Sequence, residues 1–299
     1  MNIMKKNPLR TDEFYRERIN SQLDLFLGSI QSNKNSKNCL KDIIKYSALA
    51  GGKRFRPILT YTVASLYDLA IEKVDSSACA IELIHIYSLI HDDLPAMDDD
   101  DIRHNQPTSH KVFGEAQAIL AGDGLQALAF QVICQDALLN PEIKIKLLRL
   151  LSDSSYIMAE GQSIDLSIVS QIVDINFLNE MHNKKTGALL GCAVKFGAIL
   201  NNPSEKDLSI LDSFSSKIGL AYQVQDDVLD VTTSDKILGK RQNSDSNKNK
   251  PSYPAIIGID ASIKIFKDLY REALDEISLL SVDAEPLKRI TQEFMNRTH

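Results

Sequence analysis

The chain has 299 residues, 43% of them hydrophobic, and its 34 basic and 40 acidic side chains leave a formal charge of −6. At roughly 100–200 residues per domain, this length predicts one large or two ordinary domains. An acidic balance without Trp or a basic stripe excludes a nucleic-acid binder, which would need clustered cations to displace counterions.

Thirteen Gly and nine Pro fall below the roughly 12% of an average chain, which disfavours turn-rich folds and makes an all-α protein the leading class. Ile19, Leu23, Phe26, Leu27 and Ile30 recur at helical spacing, and a polar break follows at Asn33 to Asn38. The segment GGKRFRP then places Lys53, Arg54 and Arg56 behind two glycines and before Pro57, a good first helical residue. Pliable backbone, cations and a helix start together suit an anion such as phosphate.

An apolar stretch, Ala78 to Ile90, runs into the acidic cluster His91 to Asp101. On a helix His85, Ser88 and Asp92 share one face. Leu125, Leu128, Ala129, Val132 and Ile133 predict another helix, and Asn140-Pro141 a helix start. Ala188 to Leu200 is apolar and helical, and Asn201-Asn202-Pro203 breaks it. A helical pattern from Phe214 to Leu229 carries Gln223, Asp226, Asp227 and Asp230 on one stripe. Thr232 to Pro254 is rich in Ser, Asp, Asn and Lys and reads as a long polar loop within one domain spanning residues 1–299. No strand ladder is evident.

Stacked carboxylates repel by about 0.2–0.5 kcal/mol per exposed pair unless a cation lies between them. Oxygen-only ligands select a hard ion, and carboxylates that leave room for water and phosphate suit Mg²⁺. An EF-hand loop from Asp98 fails, because its fifth position is Ile102 and its turn glycine would be Arg103. A carboxylate hydrolase lacks a nearby Ser or Cys with a base partner. Cys39, Cys79, Cys134 and Cys192 form no close pair, so free thiols in a reducing cytoplasm are expected. The charged N-terminal segment predicts no secretory signal, and the two apolar stretches above are too short to serve as a stable membrane anchor.

The segments DDLPAMDDDDIR and QVQDDVLD, with GGKRFRP upstream, KKTG between and GKRQ…KPSYP downstream, resemble the aspartate-rich and diphosphate-binding motifs of trans-polyprenyl diphosphate synthases. The similarity is greatest to bacterial farnesyl diphosphate synthases and runs from Cys39 to Gly258, with five segments in family order. It implies an all-α fold of roughly ten to thirteen helices around a deep central cavity, usually as a homodimer. The implied reaction is Mg²⁺-dependent head-to-tail condensation of isopentenyl diphosphate with dimethylallyl and then geranyl diphosphate. Asp92, Asp93 and Asp98 would hold two Mg²⁺ ions, and Asp226, with Asp227 and Asp230, a third. Arg103, Lys185, Thr186, Gln223, Lys240 and Lys250 would contact the allylic diphosphate, and Lys53, Arg56 and His85 isopentenyl diphosphate. Asp92, Asp93, Asp98, Arg103, Lys185, Asp226 and Lys240 would form the catalytic set, with the polar loop closing over it.

Tyr87, five residues before Asp92, and neighbouring Ser88 are the expected chain-length determinants, with the Tyr ring as a floor. On an ideal helix Asp98 would lie about 120° around from Asp92, so Pro95 is expected to kink the segment. Two departures stand out. His104 occupies the position of a second family arginine, which should weaken isopentenyl diphosphate binding or make it pH dependent, and Asn243 stands where relatives often have Gly. Head-to-head condensing enzymes and terpene cyclases share acidic motifs but not this full set. A synthase of another chain length (geranyl or geranylgeranyl) and a non-catalytic helical subunit remain the alternatives.

Overall fold

In the computed structural model residues 11–31, 39–232 and 250–296 are described. Among them the chain forms thirteen α-helices and one two-residue strand pair. The helices are α1 (Asp12–Ser29), α2 (Leu40–Ala48), α3 (Phe55–Ser65), α4 (Asp75–Asp92), α5 (Ser109–Phe113), α6 (Glu115–Gln135), α7 (Pro141–Ser167), α8 (Ile175–His182), α9 (Ala188–Ile199), α10 (Glu205–Thr232), α11 (Tyr253–Ile257), α12 (Ile259–Ile277) and α13 (Glu285–Met295). The all-α expectation is met.

Local chemistry explains the boundaries. Thr11, Asn140 and Asp174 cap α1, α7 and α8 by accepting the amides of Phe14 (3.2 Å), Ile143 (2.9 Å) and Phe177 (2.9 Å). Pro141 follows its cap at a position where the missing N–H costs nothing. Pro57 lies third in α3 rather than first, which the first turn tolerates because its amides need no intrahelical partner.

The helix α4 is the central post. Its residues 76–84 are all buried, as are most of α3 and α9 around it. Helices α3 and α9 meet at Gly197, where a Cβ would come within 2.6 Å of the Thr60 carbonyl, and Thr60 Oγ1 donates to Ala193 O at 2.9 Å across the same seam. One apolar cluster links α1 through α7 with α9, α10, α12 and α13; a smaller one of Ile168, Leu178, Met181, Val224 and Tyr253 lies where α8, α10 and α11 meet. Buried polar ties fix the seams. Arg18 pairs with Asp75 at 2.6 Å, and the Tyr61 hydroxyl donates to the same carboxylate at 2.7 Å. Asp207 of α10 accepts the Ser281 amide at 3.0 Å.

By length and composition α6 alone among the described helices could cross a membrane. It lies against α4 with Ala118, Ala121, Leu125, Ala129 and Ile133 buried, while Ile119 and Leu120 face outward.

Two expectations change. The segment after α4 does not kink and continue. The helix ends at Asp92, because Pro95 has no amide to donate and disfavours helical backbone at Leu94. The chain then turns back, with Asp98 N donating to Asp92 O at 2.8 Å and Asp99 at a φ of +51°. The absence of strands also fails locally. Residues Ile102–Arg103 (β1) pair with Gln106–Pro107 (β2) across a turn in which His104 and Asn105 both take positive φ, 51° and 60°.

Candidate active site

The termini of α4, α10 and the α8–α9 junction open onto one cavity of about 490 Å³. Helix α4 contributes Glu82, His85, Ile86, Leu89, Ile90 and Asp92 to its wall, and the residue that caps it, Asp93, joins them. The turn after α4 contributes Asp98, Asp100, Arg103 and His104, and α10 contributes Tyr222, Gln223, Asp226 and Asp227. Lys53 and Arg56 line it from the glycine loop, Lys185 and Thr186 from the α8–α9 junction, and Lys250 from the segment before α11. Residues more than 200 positions apart in the chain thus share one space, and most of the residues read from sequence are among them.

The acidic half is held apart by cations. Arg103 Nε donates to Asp93 Oδ1 at 2.7 Å, and a terminal guanidinium nitrogen is ion-paired with the same oxygen at 2.6 Å. Burial pushes the Asp92 and Asp93 carboxyls up to about 6; Lys185 and Arg103 work against this rise at Asp92, and Arg103 does so at Asp93. Lys250 reaches Asp98 Oδ1 at 3.0 Å and Asp165 Oδ2 at 2.9 Å, and Lys185 reaches the same Asp165 oxygen at 2.7 Å. Burial would raise the Asp165 carboxyl, but the two lysines hold it at about 2.

Between these halves runs a hydrogen-bond chain. Thr186 Oγ1 donates to Gln223 Oε1 at 2.8 Å, and Gln223 Nε2 donates to Asp227 Oδ1 at 3.2 Å. The Tyr253 amide donates to Asp227 Oδ2 at 3.0 Å, and the Tyr253 hydroxyl bonds Asn179. His182 stacks on Tyr253 with its Nε2 3.4 Å from Asp227 Oδ2. Both Asp227 oxygens thus accept from protein donors, Oδ1 from Gln223 and Oδ2 from the Tyr253 amide.

The other half is cationic. Arg54 turns inward at a φ of +52° and pairs with Glu82 at 2.6 Å, both side chains 3% exposed; it also bonds Ala48 O and Asn20. All three basic residues in GGKRFRP line the cavity, but Arg54 is committed to Glu82, Ala48 and Asn20. The Arg56 Nε is buried with no hydrogen-bond partner among the described residues, as expected of a donor awaiting an anion. Burial, with Arg56, Arg103 and Arg54 nearby, pushes the His85 imidazolium pKa well below its usual value. Burial, with Arg103, Arg54 and Lys53 nearby, also lowers that of His104. The His104 ring lies against Gly52, whose missing Cβ would stand 3.3 Å from Nε2.

Several sequence-derived residues lie elsewhere. Tyr87 and Ser88 do not line this cavity: Tyr87 is edge-on to His91, and Ser88 Oγ donates to the His85 carbonyl. The cause is helical phase, which turns them away from the face carrying Glu82, His85 and Leu89. Asp230 is buried and is not part of the wall. Lys240 and Asn243, with most of the expected closing loop, lie outside the described residues. Asp165 and Glu82 were not legible, since each is an isolated acid within a helical pattern. The only local hint at Asp165 is Gly161 one turn earlier, where a Cβ would stand 2.2 Å from the Lys185 amide nitrogen.

Could this wall hold a hard cation? Among the described residues no three such side chains form a ready-made metal cluster. Asp92, Asp93, Asp98 and Asp226 nevertheless give an all-oxygen set, in which Asp92 and Asp93 carry a burial penalty. That fits an ion such as Mg²⁺, which keeps several waters and takes one or two carboxylates plus substrate phosphates.

Comparison with known proteins agrees with this architecture. The polyprenyl synthetase family profile matches residues 37–281. The chain is 42% identical to farnesyl diphosphate synthase of Escherichia coli over 266 residues, 86% of this chain and 88% of that protein. It is 41% identical to geranylgeranyl diphosphate synthase of Cyanophora paradoxa over 262 residues, 86% and 87% of the two chains. The fold superposes with a TM-score of 0.83 at 29% identity on the Helicobacter pylori geranyltransferase complexed with magnesium and isoprenyl diphosphate, covering 97% of each chain.

Proposed function

The chain belongs to the polyprenyl synthetase family, and on that premise we propose that it condenses isopentenyl diphosphate head-to-tail with dimethylallyl and then geranyl diphosphate to give farnesyl diphosphate. The observation that carries this reading is the division of one cavity into a carboxylate wall and a cationic wall. Two diphosphates bound together need that division, one beside metal-binding acids and the other held by cations alone.

In this reading Asp92, Asp93, Asp98 and Asp226 hold Mg²⁺, about three ions by family resemblance, with Asp227 orienting Gln223 and Thr186. The metal supplies charge to the allylic diphosphate as it departs. Arg103, Lys185 and Lys250 donate to that diphosphate, so negative charge growing on it meets donors already in place. Lys240 joins them as a proposal from the resemblance. Lys53, Arg56, His85 and His104 hold isopentenyl diphosphate so that its double bond faces the allylic cation. The apolar residues Phe55, Ile86, Leu89, Ile90 and Met181 exclude water, which would otherwise capture the cation. The carbon–carbon bond forms, and the proton then lost passes to the released diphosphate.

Product length is the finer question. Tyr87 as the floor requires the growing tail to enter between α4 and α6, because the ring is not on the wall of the cavity described. That placement, with 41% identity to a geranylgeranyl synthase, favours the longer product as the second reading. Incubating the purified chain with geranyl diphosphate, labelled isopentenyl diphosphate and Mg²⁺ separates the two by product length. No product from any allylic primer would refute the enzyme assignment, and product undiminished by EDTA would refute its metal dependence.

The chain acts as a single helical unit in the cytoplasm with its four cysteines reduced. It pairs with a second copy, an arrangement supported by the exposed apolar Ile119 and Leu120 on α6. Light scattering after size exclusion gives the mass that tests the pairing.

A further inference from the structure

Asp165 lies outside every acidic cluster in the sequence, yet its side chain is 7% exposed and touches two of the cavity's cations. One oxygen, Oδ2, accepts from Lys185 Nζ at 2.7 Å and Lys250 Nζ at 2.9 Å. These lysines arrive on separate segments, one in the α8–α9 junction and one 65 positions later, before α11. Lys250 also bonds Asp98, so Asp165 joins the cationic donors to the first acidic cluster.

The arrangement is built into the backbone. Gly161, one turn before Asp165 on α7, lets the Lys184–Lys185 backbone approach so closely that a Cβ would lie 2.2–2.7 Å from three of its atoms. The junction there is a π-helical turn, Asn183–Gly187, a local widening that sets Lys185 against the buried Asp165 while Lys184 goes to the exposed Glu160 and Glu180. A lysine ammonium is a rotatable point charge with three donors and no fixed geometry. A carboxylate that takes one donor from each of two ammonium groups fixes both, and leaves further donors on each for phosphate oxygens.

We propose that Asp165 is a positioning residue that orients Lys185 and Lys250 for the leaving diphosphate, a role that rests on the proposed condensation. It acts through the lysines and touches neither substrate nor metal. Its single negative charge also keeps the two ammonium groups, held on one oxygen, from driving each other apart before substrate enters.

The test uses the full chain with Asp165→Asn, which preserves shape but removes the charge. Circular dichroism first establishes that the variant folds. Calorimetry with inorganic pyrophosphate and Mg²⁺ is expected to show about tenfold or greater weakening, the scale of one lost hydrogen bond to a charged group. The geranyl diphosphate KM should rise and kcat fall, while the isopentenyl diphosphate KM stays within about twofold.

A merely structural acid would not give the next result. In the Lys250→Gln background, Asp165→Asn should cost clearly less than in wild type, because part of what it positions is already gone. Equal cost in both backgrounds would overturn the proposal. So would an isopentenyl diphosphate KM that rises as much as the allylic one. A rise confined to the Mg²⁺ activation constant would make Asp165 a metal ligand instead and equally overturn it. If wild type binds pyrophosphate but makes no product, the condensation reading fails while the binding comparison still decides the role of Asp165. If Asp165→Asn does not fold, Asp165→Glu, which keeps the charge one methylene farther out, is expected to weaken pyrophosphate binding. Unchanged binding would count against fixed positioning.

Discussion

Replacing His104 with Arg should strengthen isopentenyl diphosphate binding and flatten its pH dependence. The imidazole lies in a tight turn, 3.3 Å from the Gly52 Cβ position, on the cavity wall shared by Lys53, Arg56 and His85. Burial and the nearby Arg103, Arg54 and Lys53 lower its pKa, so near pH 7.5 it is neutral and offers at most one uncharged donor. Glu82 is the carboxylate that opposes this, and it is already paired with Arg54. A hydrogen bond from a charged group contributes about 1.5–3 kcal/mol against about 1 for a neutral one. The difference, about 1–2 kcal/mol, corresponds to roughly a 5–30-fold lower KM.

The sign of the pH effect follows from linkage. The ligand-free pKa is depressed, and a bound diphosphate must raise it by favouring imidazolium. Between those two values binding takes up a proton, so wild-type affinity should improve as pH falls from 8 to 6. An arginine keeps its charge throughout this range, leaving only the smaller slope due to His85. Initial rates at saturating geranyl diphosphate give the KM at each pH. Equal KM values for the two proteins from pH 6 to 8 would refute the reasoning.

Asp92→Asn and Asp226→Asn should each lower kcat by about 10²–10³ or more while leaving the circular dichroism spectrum intact; near-normal turnover would remove that residue from the metal set. Tyr87→Ala should shift the products beyond fifteen carbons, read by reverse-phase chromatography, and an unchanged distribution would sink the floor role. Glu82→Gln leaves the buried Arg54 charge uncompensated at a cost of about 3–5 kcal/mol, because both partners are 3% exposed. Differential scanning calorimetry should show the melting temperature falling by roughly 5–15 °C. A shift below about one degree would mean that water or Asn20 compensates the guanidinium.

Much of the site was legible because its chemistry is concentrated in short runs. Asp92, Asp93, Asp226 and Gln223 announce themselves as repelling acids and polar groups at helical spacing, and the fold places all four on one wall. What was not legible is direction. The helical rule grouped His85, Ser88 and Asp92, but the cavity takes His85 and Asp92 and leaves Ser88 hydrogen-bonded to the His85 carbonyl. The same limit applies to GGKRFRP, where three neighbouring cations look equivalent until the left-handed backbone at Arg54 commits that one to Glu82. Pro95 signals a disruption in the sequence but not its outcome, since a kink and a helix end have the same cause and differ only in what the following residues can bond to.

The electrostatics explain why an acidic chain suits anionic substrates. Where metal-binding acids and diphosphate-binding bases share one cavity, each would be costly to bury alone. Cross-pairing supplies an interim solution in which Arg103 takes Asp93, Lys250 takes Asp98, and Asp165 takes Lys185. A diphosphate entering without a cation would place negative charge beside these acids, and a cation entering alone would meet bases already on them. Entry of the two together repels neither set, because carboxylates turn to the metal as ammonium and guanidinium groups turn to phosphate. Under the proposed function, the paired arrangement therefore favours the metal–diphosphate complex over either component.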